Sequence, residues 1–178
     1  GAPFAYWVSE GVRALFSKFS HLEGRERIAL GGLKTLSDER FLLASWEVPP
    51  SHATEWPPLA KGGTYSPYYA NVALRVTWEA GGSDISWYGY QRRPREGFGA
   101  SSRGIQAYFR PGLTWPRRSQ RGLALRAMPA GCIFADKGPA AFVANDDPQV
   151  LLALLALMNS AAFGTLVSLQ LAAADAAA

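Results

Sequence analysis

Cysteine and histidine are scarce in this chain of 178 residues, which contains one cysteine and two histidines. A single thiol, Cys132, excludes an internal disulfide and a cysteine-based zinc ribbon, and its apolar surroundings predict a core residue rather than a nucleophile. His21 and His52 are far apart in the sequence, so neither a metal site nor a Ser/His/Asp triad is predicted. With no signal-like N-terminus we expect a cytoplasmic protein, and the composition argues against a self-contained enzyme.

The motifs of methyl transfer and cofactor binding are absent too. No Asn-Pro-Pro-Tyr or Asp-Pro-Pro-Tyr tetrapeptide occurs, which is the element an amino-group methyltransferase uses to hold its flipped base. Gly97-Phe98-Gly99 has no strand before it and no helix pattern after it, so it indicates a turn rather than a cofactor loop. Asp38-Glu39 lacks the spaced lysine of a nuclease motif, and Asp146-Asp147 reads as a helix cap. We therefore expect no catalytic residues, bound cofactor or metal in this chain.

Long hydrophobic runs are missing as well. The apolar run from Val150 to Met158 spans nine residues, too few to cross a bilayer. Asp146-Asp147-Pro148 precedes this run with an acidic cap and a proline in the first turn, which predicts a helix over residues 150–171. Its leucines suit either a core or a docking face.

The remaining pattern predicts an α+β fold. Apolar residues at helical spacing behind Ser9 predict an amphipathic helix over residues 9–19. Alternation predicts a strand over residues 71–79, with residues 85–90 as its candidate partner across a glycine turn. Further strands are predicted at residues 41–48, 113–115, 122–128 and 132–135. We expect one domain over residues 3–171, with a mixed or antiparallel curved sheet, the N-terminal helix packed on it and a long C-terminal helix. An alanine-rich tail occupies residues 172–178.

Acidic residues are nearly absent between Arg92 and Arg126. This segment holds nine arginines against Glu96 alone, whereas the net charge of the whole chain is only +4. The arginines are interleaved with Tyr108, Phe109 and Trp115, and forked donors beside stacking faces suit contacts to phosphates and base edges. A solvated basic face is the alternative interpretation.

A series of short motifs follows the chain in a fixed order. The first half contains Pro3-Phe4-Ala5-Tyr6-Trp7-Val8-Ser9, Gly32-Leu33-Lys34-Thr35, Trp46-Glu47-Val48, Tyr68-Tyr69-Ala70-Asn71 and Val76-Thr77-Trp78. The second half contains Tyr108-Phe109-Arg110-Pro111-Gly112-Leu113-Thr114-Trp115, Pro129-Ala130-Gly131-Cys132-Ile133-Phe134 and Leu157-Met158-Asn159-Ser160. This succession, over residues 3–171, resembles the C-terminal region of large adenine-specific DNA methyltransferases. These include fused restriction and modification enzymes and BREX-type phage-defence methyltransferases of the PglX kind.

The resemblance implies a target recognition domain, which reads a short duplex sequence and delivers an adenine to a separate catalytic domain. Double-stranded DNA and the methyltransferase domain of the parent protein are then the partners. S-adenosylmethionine belongs to that catalytic domain, whose tetrapeptide and cofactor loop precede this region in the family. Whether the parent also cleaves DNA stays open.

Candidate DNA-binding residues fall into three groups. Arg92, Arg93, Arg95 and Arg103 are predicted to track phosphates. Trp115, Arg117, Arg118, Ser119, Gln120 and Arg121 lie in or beside a predicted strand end, where arginine and glutamine can pair with guanine and adenine edges. Lys61 and Tyr65 are further candidates, whereas Arg110 and Arg126 are expected to be structural. The alternatives are an RNA or single-strand binder, a protein-interaction module that docks through the leucine-rich C-terminal helix, and a residual enzyme.

Overall fold

The computed structural model describes residues 8–19, 23–24 and 26–175, with side chains described to residue 170. His21 and residues 3–7 of the first motif lie outside these ranges. The helices are α1 (Glu10–Lys18), α2 (Asp38–Phe41), α3 (Ser83–Arg92), α4 (Pro148–Met158) and α5 (Ala161–Asp175). The strands are β1 (Arg27–Leu30), β2 (Leu42–Ala44), β3 (Pro58–Ala60), β4 (Leu74–Val76), β5 (Gly112–Thr114), β6 (Arg126–Met128), β7 (Ile133–Phe134) and β8 (Ala140–Val143). This mixture confirms the α+β class.

The strands form two four-stranded sheets rather than one curved sheet. The first sheet has the order β1-β8-β5-β6 and is antiparallel throughout. The second has the order β2-β4-β3-β7, in which β3 and β7 are parallel and the other pairs are antiparallel. Each sheet therefore combines strands that lie far apart in the sequence.

The main hydrophobic core lies where the two sheets meet. Phe134 of the second sheet and Phe142 of the first are both fully buried, with their ring centroids 5.3 Å apart. Leu113 and Leu125 belong to a second cluster, which the leucines of α4 cover. The predicted core role of Cys132 is confirmed, because its side chain is buried in the main cluster and burial raises the pKa of its thiol.

Residues 85–90 are part of helix α3, so the strand predicted there is wrong. Gly81 and Gly82 both adopt positive φ before the helix, and this changes the direction of the chain. Ile85, Ser86 and Gly89 are the buried residues of α3, a spacing that only a helix places on one face. Of the strand predicted over residues 71–79, the structure forms only Leu74–Val76, and the pattern does not continue beyond the glycines.

The predicted long C-terminal helix is divided at Asn159-Ser160. Asp147 caps α4 as expected, because its side chain accepts hydrogen bonds from the backbone N–H groups of Gln149 and Val150. At the other end, the Asn159 amide exchanges two hydrogen bonds with the backbone of Leu125, of 2.8 and 3.0 Å. Among the described residues no single helix has the length and apolarity to cross a membrane, and α4 with α5 would do so only as a pair bent by 68°.

Three strands were not expected from the sequence. Strand β3 starts at Pro58 in a proline-rich stretch, and proline is compatible with the first position of a strand. Strand β1 pairs with β8, and β8 pairs in addition with β5, so the partners of both strands are distant in the chain. Local sequence carries little information on such pairing.

Candidate nucleic-acid interface

Three chain segments run parallel at one end of the second sheet. Leu33 forms a parallel bridge with Ala135, and β3 pairs in parallel with β7. Lysines follow all three segments, as Lys34, Lys61 and Lys137. Because the carboxyl ends of parallel strands meet at the same edge, the three lysines converge, and such an edge is a common place for a ligand.

The three lysines line a cleft of about 340 Å³ together with Arg93 and the acids Asp38 and Asp136. A neighbouring depression of about 460 Å³ shares Lys61, Asp136 and Lys137 with this cleft and adds Arg117 and Arg118. We call the two together the basic cleft. Six basic side chains and two acidic ones line it, so it attracts anions.

Close backbone approach holds the lysine-bearing segments together. Gly62 has a φ of 84°, and a Cβ placed on it would overlap the carbonyl oxygen of Lys137. A Cβ on Gly138 would overlap the backbone nitrogen of Gly62 in the same way. Only glycine at these two positions lets the segments that carry Lys61 and Lys137 lie so close together.

Asp38 holds Lys61 in the basic cleft. Its carboxylate forms an ion pair with the Lys61 ammonium and accepts a 2.6 Å hydrogen bond from the Thr35 hydroxyl. Partial burial raises the pKa of Asp38, but the hydrogen bonds from Lys61 and Thr35 and the charges of Lys61 and Lys137 outweigh it. The pKa therefore lies below its ordinary value, and Asp38 is ionised at neutral pH.

The expected structural roles of Arg126 and Arg110 are confirmed. Arg126 is only 4% exposed, and its guanidinium donates to the carbonyl oxygens of Gly62 and Thr64, which fixes the segment after Lys61. Burial lowers the pKa of Arg126. Arg110 donates from Nε and Nη2 to Asp146, at 2.9 and 2.7 Å.

The connection between β5 and β6, residues 115–125, borders the basic cleft. At its start, the Arg117 backbone N–H donates to the Lys137 carbonyl at 3.1 Å, and the Arg117 guanidinium donates to both carboxylate oxygens of Asp136. Further along, the Arg121 guanidinium lies 5.0 Å from the centroid of the Tyr65 ring. We call the exposed residues between these two anchors the loop tip. They are Arg118, Ser119 and Gln120.

The structure brings four of the twelve sequence candidates into the basic cleft. These four are Lys61, Arg93, Arg117 and Arg118. Ser119, Gln120 and Arg121 lie on the bordering connection, and Tyr65 contacts Arg121. Lys34 and Lys137 were missed. A lysine directly after a short apolar segment is the signal that could have found Lys34, whereas only the parallel pairing places Lys137 beside it.

The other candidates lie apart from the basic cleft. Arg92 stacks over Tyr88, at 4.9 Å from the ring centroid. Arg95 and Arg103 are both exposed and follow α3 in the chain. The backbone carbonyl of Arg103 accepts a hydrogen bond from the Tyr108 hydroxyl. Trp115 is half-buried and packs against the cluster under α4, so its ring has a packing role.

No family model matches this chain. The adenine-specific methyltransferase BrxX of Escherichia coli O9:H4 (strain HS) is 29% identical over 168 residues, which cover 90% of this chain and 13% of that protein. The adenine-specific methyltransferase PglX of Lacticaseibacillus casei (strain Zhang) is 27% identical over 173 residues, which cover 90% of this chain and 14% of that protein. The chain spans about one-seventh of the length of these curated relatives. Over nearly all of its own length it is therefore related to one part of BREX-type adenine-specific methyltransferases.

Proposed function

We propose that this chain is a non-catalytic module that binds double-stranded DNA and reads its sequence for an adenine-N6 methyltransferase. The parent would act in a BREX phage-defence or restriction–modification system. The observation that carries the proposal is the convergence of six basic side chains on one cleft beside an exposed, polar loop tip. The related adenine-specific methyltransferases BrxX and PglX support the assignment to such a parent.

The basic cleft supplies the contacts to the DNA backbone. Lys34, Lys61 and Lys137 lie within two residues of the parallel-paired segments, so their backbone positions are fixed before phosphates bind. Contacts of this kind fix the position of a protein on the duplex without reading its sequence. Asp38 and Asp136 limit the charge of the cleft and orient Lys61 and Arg117.

The loop tip supplies the contacts to base edges. Its three residues are exposed on the connection between β5 and β6, where their side chains are free to reach base edges in a groove. Arg118 can pair with O6 and N7 of guanine and Gln120 with N6 and N7 of adenine, each pair discriminating by about 1–3 kcal/mol. The anchors on either side, Arg117 on Asp136 and Arg121 on Tyr65, hold the tip in place.

Methyl transfer and S-adenosylmethionine binding belong, in this proposal, to the catalytic domain of the parent protein. The present chain contributes recognition and orientation of the duplex. Its partners are therefore the DNA and that catalytic domain.

Fluorescence anisotropy with a labelled random duplex over a salt series tests the proposal. Four to six phosphate contacts predict a slope of about −4 to −5 for log affinity against log salt concentration. Lys34→Ala/Lys137→Ala should flatten the slope by about 2, because it removes two contacts. The matched control is Arg13→Ala/Lys18→Ala, which removes two exposed charges from α1 and should leave the slope unchanged.

Equal loss of slope in both double variants would contradict the proposal, because binding would then depend on overall charge rather than on the basic cleft. Absence of duplex binding by the wild-type chain at low salt would contradict it as well.

A second candidate function is contact with another protein domain. Helices α1, α4 and α5 surround an apolar depression of about 620 Å³, lined by side chains that include Leu15, Phe16, Phe19, Leu157, Phe163 and Leu166. In this second proposal, the apolar depression contacts the remainder of the parent protein. Titration with that remainder should give an affinity that changes little with salt, whereas duplex binding falls steeply.

A further inference from the structure

Three exposed aromatic rings form a row on α3 and the loop that follows it. Trp87 and Tyr90 lie one turn apart on the helix, with ring centroids 5.9 Å apart. The Phe98 ring meets Tyr90 edge to face at 6.3 Å. Trp87 is 54% exposed and Phe98 is 63% exposed, so these rings do not belong to the core. We call Trp87, Tyr90 and Phe98 the aromatic row.

The Gly97-Phe98-Gly99 motif accounts for the position of the third ring. Gly97 and Gly99 have φ values of 85° and 86°, a region that favours glycine. The two glycines turn the chain on both sides of Phe98, which brings its ring back to α3. The motif thus extends the aromatic row beyond the helix.

The chemistry around the aromatic row distinguishes it from an ordinary apolar contact surface. Between Ser83 and Phe98 the only branched aliphatic side chain is Ile85, which is buried. The exposed neighbours are instead polar or charged, with Arg92 and Arg95 close in the chain. Of the two acids in this stretch, Asp84 is exposed and Glu96 is paired with Arg93.

We propose that the aromatic row is a stacking surface for unpaired bases of a nucleic acid strand. Aromatic faces beside a basic track are the features with which proteins bind single strands without sequence preference. Arg93 lies between the two surfaces, because it follows α3 directly and lines the basic cleft. A strand leaving the cleft could therefore reach the aromatic row. The proposal does not depend on duplex binding by the cleft.

Anisotropy with labelled dT12, together with a twelve-residue abasic strand of the same charge, tests this proposal. Stacking predicts that the wild-type chain binds dT12 more tightly than the abasic strand, since only dT12 has bases. Trp87→Ala and Phe98→Ala should each weaken dT12 binding by about 5- to 150-fold, the effect of losing one stacked base. The matched control is Trp46→Ala, which removes a tryptophan that is 79% exposed elsewhere. A parallel comparison of dU12 with U12, which differ only in the sugar, identifies the preferred sugar.

Equal affinity of the wild-type chain for dT12 and the abasic strand would overturn the proposal, whatever the variants do. Failure of the wild-type chain to bind dT12 would also overturn the proposal and would favour a protein partner for the aromatic row. Wild-type affinity for dT12 in both ring variants would overturn it as well. Random duplex affinity should be unchanged in Trp87→Ala and Phe98→Ala. If the wild-type chain binds dT12 but not the duplex, the result contradicts the duplex-binding role proposed for the basic cleft and supports the role proposed for the aromatic row.

Discussion

Asp38 illustrates how a single acidic residue tunes a basic site. It neutralises part of the charge of Lys61 and also holds that side chain in the cleft. A lysine without such a partner would sample many rotamers and lose more entropy on binding a phosphate. The ion pair therefore weakens the attraction of the basic cleft for anions but lowers the entropy cost of ordering Lys61.

The lowered pKa of Asp38 predicts a pH-dependent difference in stability between wild type and Asp38→Asn. A carboxyl whose folded pKa is below its unfolded value stabilises the fold above the unfolded pKa, near 4, and loses this contribution as pH falls through the folded pKa. The difference in unfolding free energy should be under about 1 kcal/mol at pH 7, because the Asp38 side chain is 47% exposed. Urea denaturation between pH 7 and pH 2.5 measures it.

A difference that stays constant over this range would show that the Asp38 carboxylate contributes nothing through its charge. Asp38→Asn should also bind duplex DNA about two- to fivefold more tightly at low salt, because one negative charge leaves the basic cleft.

At the scale of elements, the basic cleft depends on how the segments after β3 and β7 lie against each other. The parallel pairing of β3 and β7 ends at Ala60 and Phe134, and no turn joins the segments that follow, so their separation depends on their own contacts. Gly62 and Gly138 allow that separation to be short. The Arg126 guanidinium then holds this backbone by donating hydrogen bonds to the carbonyl oxygens of Gly62 and Thr64.

Gly62→Ala should therefore destabilise the chain more than Gly63→Ala. Both glycines have positive φ, at 84° and 98°, so the backbone strain of an added Cβ is common to the two variants. Only at position 62 does the Cβ also meet backbone atoms, those of Lys137, while nothing lies within 4 Å at position 63. The extra cost should be about 1–3 kcal/mol, measured by thermal or urea denaturation.

Equal destabilisation by the two alanines would mean that the segments can separate without cost. The comparison is informative for the site as well, because a separation of the segments would also weaken duplex binding by Gly62→Ala.

The elements with strong local signals are the ones that the sequence predicted. Helix α4 starts where expected because Asp147 satisfies backbone N–H groups two and three residues ahead. Helix α1 follows from the spacing of its apolar residues. Helix α3 was mistaken for a strand because its aromatic residues favour strands in isolation, and contact with the core overrides that preference.

On the scale of the whole molecule, the basic cleft and the apolar depression share no lining residue. The basic cleft lies at the carboxyl ends of the parallel segments in the second sheet. The apolar depression lies between α1, α4 and α5, and α4 contacts β5 and β8 of the first sheet. The surface proposed for DNA is therefore separate from the surface proposed for protein contact.

Leu157→Gln should separate the two proposed functions. Leu157 is exposed and lines the apolar depression, so its loss should weaken association with the remainder of the parent protein. Duplex affinity should stay within about twofold of wild type, because distant sites act independently. Anisotropy with random duplex and titration with the parent remainder measure the two effects. A change in the salt slope of duplex binding would contradict the separation.

The sequence by itself determined the α+β class, helices α1 and α4, the basic segment and the resemblance to adenine-specific methyltransferases. These depend on composition, local spacing and motif order, which are present in the chain before it folds. Only the tertiary structure decided that Lys34, Lys61 and Lys137 form one cleft and that Phe98 joins the rings of α3. Parallel pairing and close backbone approach join residues that are distant in the chain, and no local pattern specifies which distant segments will meet.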